Sequence, residues 1–302
     1  MISLLAAAPA GRATEHSAPA RLAARSLLLG LARAGDTVVA VGDRGHVLRS
    51  TDEGRTWTQV GVPTRAMLTA VSFADPMHGW AVGHDGVILA TADGGKSWHR
   101  QDPGTDLETV WLDVLFLDAR HGFVVGAYGR ALVTTDGGKS WKPFRPVEDE
   151  LHYNRLVATP GGRLYLAGEA GLLVTSTDQG ATWQRLELPY DGSLFTILPL
   201  GGRSVAVAGM RGRLLVSGDN GATWTDRSPT LPALLAAGTL LQGDVAVIGG
   251  QGGHLFVSRD GGATFVHWKP AESGAGLSAL LPSRDGALLA AGEAGALRLP
   301  LP

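Results

Sequence analysis

Apolar and polar residues alternate along this chain in short runs that stop at glycine. Between residues 68 and 101, "LTAVSF" (68–73) reads as an apolar inner strand and "GWAVG" (79–83) as a second. After a tight turn at His84-Asp85, "GVILAT" (86–91) alternates as a third strand, and "SWHRQ" (97–101) reads as a fourth. Period-2 runs of this length between glycine turns predict an all-β chain. No stretch of useful length carries the helical period.

The four-run pattern recurs. Six segments align: "STDEGRTW" from Ser50, "TADGGKSW" from Thr91, "TTDGGKSW" from Thr134, "STDQGATW" from Ser176, "SGDNGATW" from Ser217 and "SRDGGATF" from Ser258. Their aspartates, Asp52, Asp93, Asp136, Asp178, Asp219 and Asp260, follow at intervals of 41, 43, 42, 41 and 41. Ten residues before each stands a G-x-x-G turn: "VGDRG", "VGHDG", "VGAYG", "AGEAG", "AGMRG" and "GGQGG". This marker returns a seventh time as "AGEAG" at 291–295. A period of about 42 residues matches one four-stranded propeller blade. The expected fold is therefore a seven-bladed β-propeller of four-stranded antiparallel blades, one domain from residue 26 to 302. The last unit, "GLSALLPSRDGALLAAGEAGALRLPLP", supplies three strands. The segment before Ser26, within "GRATEHSAPARLAAR", is expected to add the missing outer strand, since proline is tolerated on a free edge.

The S/T-x-D-x-G-x-S/T-W segments resemble the Asp-box, or BNR repeat, of propeller proteins. Five copies fit fully, and the sixth carries Phe265 where Trp57, Trp98, Trp141, Trp183 and Trp224 stand in the others. The resemblance implies that each aspartate accepts hydrogen bonds from the backbone N–H groups of its own turn. A glycine takes the left-handed position, and the ring is buried between blades. It also places the boxes opposite the usual binding face. A residue repeated six times around a ring is architectural. One carboxylate per box falls far short of a calcium site. No GK[ST] ending followed by a helix supports phosphate binding.

Composition narrows the function further. A net charge of −2 gives no global attraction to nucleic acid or to an anionic membrane. The absence of cysteine excludes disulfides, thiolate metal sites and cysteine nucleophiles. Arginine supplies 22 of the 26 basic residues, which reads as composition bias unless the guanidinium groups cluster for recognition. The start, "MISLLAAAPAG", resembles the end of an export signal lacking its basic region, so residues 1–25 read as signal remnant plus closing strand. A periplasmic or otherwise exported location is expected, with the cytoplasm as the alternative. The nine histidines show no ligand spacing, and neither metal nor cofactor is expected.

Function is sought where the units differ. The central pairs of the G-x-x-G turns offer Arg44, His84, Asp85, Tyr128, Glu169 and Arg211, with Arg130 and Arg213 just after two of them. The interblade links add His152 and Tyr153 in "PVEDELHYN" and Tyr190 in "LPYDGS". Aromatic and charged side chains on loops of a rigid scaffold suit recognition, and solvated turns are the plainer reading of each residue singly.

"VAVGDRGHVLRSTDEGRTW", "HGWAVGHDGVILAT", "HGFVVGAYGRALVTTDGG", "LYLAGEAGLLVTSTDQGATW" and "LPYDGSLFTILPL" together resemble the photosystem II stability/assembly factor family and its bacterial relatives. The resemblance implies a non-catalytic propeller that binds a membrane-protein subunit through an arginine-rich patch, for which Arg44, Arg130, Arg211 and Arg213 are the candidates here. The expected partner is then a protein, an integral membrane protein or transporter complex, with no nucleic acid and no direct membrane insertion.

The alternatives are a sialidase-like glycoside hydrolase and a glycan-binding propeller, since such enzymes carry the same boxes. Paired carboxylates for that chemistry would come from Asp85, Glu169 and Glu293, in separate blades. The segment "PFRPV" (143–147) lacks the isoleucine of the sialidase F/Y-R-I-P pattern. Trp80 and Trp111, the rings available for sugar stacking, both read as core positions.

Overall fold

The computed structural model describes residues 15–301. Seven antiparallel sheets follow one another along the chain, six of four strands and the last of three among the described residues. In blade 2 the strands are Leu68–Phe73, Gly79–Gly83, Ile88–Thr91 and His99–Gln101, from the axis outward. The first two match the sequence pattern residue for residue. The outer strands are shorter than expected, two or three residues each, from Thr58–Val60 in blade 1 to Val266–Trp268 in blade 6. Second strands are buried at nearly every residue, because each is covered on both faces by adjoining blades, and their sequences are accordingly almost wholly apolar.

Inner strands pack against one another in cyclic order, with Leu28–Ala34 of blade 1 meeting Leu277–Pro282 of blade 7. Between successive blades lie apolar layers, each drawing on two sheets. One joins Val39, Val41 and Val47 of blade 1 to Ala81, Leu89 and Trp98 of blade 2. Trp80 and Trp111 are 2% and 1% exposed, in the next layer.

The described part of the closing segment departs from the expectation. Residues 15–25 add no strand to the seventh sheet: His16–Ala20 run along blade 1, and Ala23–Arg25 form a single 3-10 turn. The Ser17 N–H donates to the Val62 carbonyl at 2.9 Å, and the Gln59 side chain both donates to the Ala18 carbonyl and accepts from the Ala20 N–H. Residues 1–14, where the export-signal reading and the rest of the closing-strand reading fall, lie outside the described residues. What closes blade 7 onto blade 1 is Ala23 and Ala24 packed with Ala291 and Ala296, reinforced by charge. Arg284 pairs with Asp36 and Arg55 with Asp285 across the seam, Arg33 donates to the Pro282 carbonyl at 2.9 Å, and Arg298 donates to the Glu53 carbonyl at 2.8 Å. Among the described residues no helix is long and apolar enough to cross a membrane.

Candidate functional site

The connections divide between two faces of the disc. One carries the Asp-boxes with the turns joining first and second strands. The other carries the G-x-x-G turns with the interblade links.

Each box is closed upon itself. Asp136 Oδ1 accepts the Thr134 hydroxyl at 2.8 Å and the Ser140 N–H at 2.9 Å, while Oδ2 accepts the Ser140 hydroxyl at 2.6 Å. The same three bonds recur at Asp52, Asp93, Asp178, Asp219 and Asp260. Hydroxyl and backbone donors hold Asp136, Asp178, Asp219 and Asp260 at about 2, and Asp52 lower still. Three of the roughly four acceptor sites of each carboxylate are thus taken inside its own box. The aromatic residue of each box leans on the preceding blade: Trp98 on blade 1, Trp141 on blade 2, Trp183 on blade 3 and Phe265 on blade 5. Trp98 is buried, whereas Trp57, Trp141, Trp183, Trp224 and Phe265 are half-buried.

The opposite face carries the varied side chains. In each G-x-x-G turn the third residue is left-handed or flanked by left-handed glycine, and five of these residues are not glycine: Arg44, Asp85, Tyr128, Ala170 and Arg211, at φ between 49° and 57°. A bulky side chain pays a steric penalty there, and the flanking glycines hold it in place. Tyr128 stands 68% exposed as a result.

Two groups of predicted residues come together at successive blade junctions. At the junction of blades 3 and 4, the Tyr128 ring lies edge-on to His152, with centroids 4.7 Å apart. His152 Nδ1 is 2.6 Å from Glu169 Oε1, and the His152 N–H donates to Glu169 Oε2 at 3.0 Å. That backbone bond, with the imidazole beside it, lowers the Glu169 pKa against a smaller opposing effect of burial. At the junction of blades 4 and 5, the Arg213 guanidinium lies 5.2 Å from the Tyr190 ring centre and pairs with Asp226. The Tyr190 hydroxyl donates to the Met210 carbonyl at 3.2 Å, next to Arg211.

The remaining candidates stand apart. Arg130 donates to the Thr109 hydroxyl at 3.0 Å and sits 3.4 Å from Asp106. Arg44, in blade 1, lies 3.4 Å from Asp43 with its side chain 81% exposed. Asp85 is exposed and His84 half-buried in blade 2. Tyr153 requires a correction as a binding candidate. It opens an inner strand, its side chain points between blades 3 and 4, and it is 0% exposed.

Sequence reading missed one pair in the central channel. Asp113 and Arg155 occupy equivalent inner-strand positions in blades 3 and 4, where the other blades place Gly30, Ala70, Thr196, Ala237 and Ala279. Asp113 Oδ2 accepts the Leu156 N–H at 2.7 Å, and Oδ1 is 3.6 Å from the Arg155 guanidinium. Burial raises the Asp113 pKa although Arg155 opposes it. Comparing blades position by position would have found two charges where small residues stand. It missed likewise the cross-strand approach of His254 Nδ1 to His267 Nε2 at 2.9 Å. Among the described residues no group of three or more histidines and carboxylates is arranged to hold a metal ion.

Residues 49–109 and 104–230, more than half of the chain together, match the family model of photosynthesis system II assembly factor YCF48. A photosystem II stability/assembly factor, HCF136, from Cyanidioschyzon merolae is 40% identical over 79 residues, which are 26% of this chain and 17% of that protein. The photosystem II assembly lipoprotein Ycf48 of a Synechococcus strain is 33% identical over 148 residues, 47% of this chain and 32% of that protein. The aligned stretches thus span a third or less of these relatives. Two solved structures share the architecture. A YCF48 bound to D1 peptide covers 97% of this chain and 96% of its own at 20% identity, with a TM-score of 0.76. YCF48 from Cyanidioschyzon merolae covers 95% and 98% at 19% identity, with a TM-score of 0.74.

Proposed function

We propose that this chain, which belongs to the photosynthesis system II assembly factor YCF48 family of β-propellers, is a non-catalytic platform that binds a segment of an integral membrane protein during assembly of its complex. One observation carries the reading: Tyr128, held left-handed and 68% exposed on the face of turns and links, beside His152 and Glu169. A rigid, exposed aromatic next to polar and charged groups is the composition of a protein-binding hot spot. Tyr190, Arg211 and Arg213 extend that surface at the next junction. A solved YCF48 bound to D1 peptide supports a peptide as ligand class, and a lipoprotein among the relatives supports an exported location at a membrane.

The glycosidase reading has less support. Glu169 is engaged by His152, and Glu293 Oε2 accepts the Gly276 N–H at 3.0 Å, so both carboxylates serve local turns.

A photo-crosslinking residue at position 128, in cells of the source organism, tests the proposal. The expected product is a crosslink to an integral membrane protein, weakened at least tenfold by Arg213→Ala. Crosslinking to no membrane protein, together with turnover of a sialoside or glucan by the purified chain, would reverse the assignment.

A further inference from the structure

The face of turns and links carries its charge unevenly, and the exposed ring of Tyr128 stands in its acidic part. Two links supply most of the carboxylates. The link between blades 2 and 3 carries Asp102, Asp106 and Glu108, and the link between blades 3 and 4 carries Glu148, Asp149 and Glu150, all exposed. The turns of blades 2 and 4 add Asp85 and Glu169. Backbone hydrogen bonds join these pieces into one arc. The Gly86 N–H, in the blade 2 turn, donates to the Thr109 carbonyl at 2.7 Å, and the Ala127 N–H, in the blade 3 turn, to the Val110 carbonyl at 3.0 Å. The Gly129 N–H then donates to the Leu151 carbonyl at 2.8 Å, and His152 of the same link reaches Glu169.

The arc is neutralised only in part. Arg130 lies 3.4 Å from Asp106, Arg185 3.0 Å from Asp149, and His152 engages Glu169. Asp85, Asp102, Glu108, Glu148 and Glu150 enter no ion pair among the described residues. Arg100, which donates to the Asp85 carbonyl at 3.1 Å, and Arg145 are the bases beside them. Two large side chains rise among these carboxylates: Leu107 is 51% exposed between Asp106 and Glu108, and Tyr128 is 68% exposed. The sign does not persist round the face. Arg44 and Arg65 stand exposed at blade 1 and Arg211 and Arg227 at blade 5, where Asp43 and Asp226 are taken up by Arg44 and Arg213. Carboxylates gathered round exposed apolar area repel an acidic surface and draw in a basic one, which sets partner choice and encounter rate more than affinity.

We propose that the partner segment docked at Tyr128 is basic: it lays an apolar residue across Leu107 and Tyr128 and sets lysine or arginine on either side against Glu108, Glu148 and Glu150. This extends the assignment of the face to a membrane-protein segment and depends on it. Residues 1–14 offer Arg12 as their one basic side chain. The chain that follows them, His16–Ala20, is held on blade 1, outside the arc, by Gln59, Val62 and Arg65. A second copy would bring Arg44 and Arg213 already paired with Asp43 and Asp226.

Benzoylphenylalanine in place of Leu107 keeps that position apolar and supplies a photo-crosslinker. The purified full-length chain carrying it is mixed with detergent-solubilised membranes of the source organism and irradiated. The crosslinked segment, mapped by mass spectrometry, is expected to belong to an integral membrane protein and to carry a surplus of lysine and arginine. Glu148→Lys combined with Glu150→Lys, both in the other link, should lower the yield at least tenfold, while Glu272→Lys, exposed between blades 6 and 7, leaves it unchanged. These glutamates are exposed, so the variants should keep the parent's melting temperature. Raising salt from about 0.05 M to about 0.5 M shortens the screening length about threefold and should lower the yield as well. Capture of a membrane protein through a neutral or acidic segment, or a yield indifferent to the Glu148 and Glu150 reversals, would overturn the basic segment and leave the assignment of the face standing. A crosslink to residues 1–14 of the same chain, or to a second copy, would make those the occupants and overturn it also. Capture of no protein would overturn both.

Discussion

Replacing Gly83 by alanine tests the physical reason for the repeated glycine turn. A Cβ at Gly83 would lie 2.0 Å from the Met67 carbonyl oxygen of the preceding link, where ordinary contact begins near 3.4 Å. The His84 N–H donates to that same carbonyl at 2.9 Å. The arrangement is common to all seven blades. A Cβ at Gly42, Gly126, Gly168, Gly209, Gly250 or Gly292 would stand 1.9 to 2.2 Å from a link carbonyl, and the following N–H donates to it each time. Backbone strain is not the cause, since Gly42 and Gly209 are extended at φ −178° and −168°. The link passes too close for any side chain. In Gly83→Ala the link must retreat by about 1.4 Å, which breaks the His84 bond. Overpacking costs about 1–3 kcal/mol, and an amide left without its partner about 1–3 kcal/mol more. A loss of roughly 2–6 kcal/mol lowers the melting temperature of a chain this size by roughly 3–10 °C.

Calorimetry and urea unfolding measure the effect against Gly218→Ala, an exposed glycine with no atom within 4 Å of its built Cβ. That control should stay within about 0.5 kcal/mol of the parent. If Gly83→Ala melts within a degree of Gly218→Ala, the close approach of link and turn is not what the glycine serves.

Further outcomes follow from the titrating groups and from the closure. The box carboxylates are depressed to about 2 at Asp136, Asp178, Asp219 and Asp260; their stabilisation is present above their unfolded value near 4 and lost as pH falls from there toward 2. The melting temperature should drop across that window, and less in Asp136→Asn, as scans at successive pH values would show. Asp113 has the opposite sign: burial raises its pKa, so its contribution is full at acid pH and lost as pH rises through the raised value. Asp113→Asn keeps an oxygen for the Leu156 N–H and removes the buried charge, so its unfolding free energy from urea titration should exceed the parent's at pH 8, by about 1 kcal/mol, and not at pH 4. Removing residues 1–25 should lower the melting temperature by more than 5 °C beyond removal of 1–14 alone, because Ala23 is 3% exposed and Ala24 seats against Gly295; equal melting would place the closure elsewhere.

Most of the fold was legible because each unit repeats the same constraint. Gly83 and Asp93 could be read from one unit only as turn residues, but seven and six copies at even spacing fix a ring. The outer strands were overestimated because Ser97 and Trp98 alternate like strand residues while they close the box through Asp93 and Gly95. Residues 15–25 of the closing segment depart from the reading for a related reason. Counting strands predicts that something must complete the seventh sheet, but no count reveals that Gln59 and Val62 offer residues 17–20 a competing set of bonds. The candidate site was legible residue by residue and not as a grouping. Tyr128, His152 and Glu169 are spread over 42 positions, and only the ring brings a turn, a link and the next turn into contact. Tyr153 shows the limit of composition: adjacent to His152 in the same link, it enters the core because strand alternation begins at that residue.

The division between the invariant and the varied face has one physical origin. On the box face, Asp136 and its equivalents meet their hydrogen-bonding needs inside eight residues, so the side chains that do so cannot vary without loss. On the opposite face, the glycines around Tyr128 hold the turn through backbone contacts alone: Gly126 and Ala127 bond to Arg130 and Val110, and Gly129 bonds to Leu151. The residue at position 128 is then left-handed whatever side chain it carries, and five different non-glycine turns tolerate that strain at Arg44, Asp85, Tyr128, Ala170 and Arg211. A position whose conformation is set by its neighbours is free to display any side chain. The glycines that make the blades alike are therefore what allows their rims to differ.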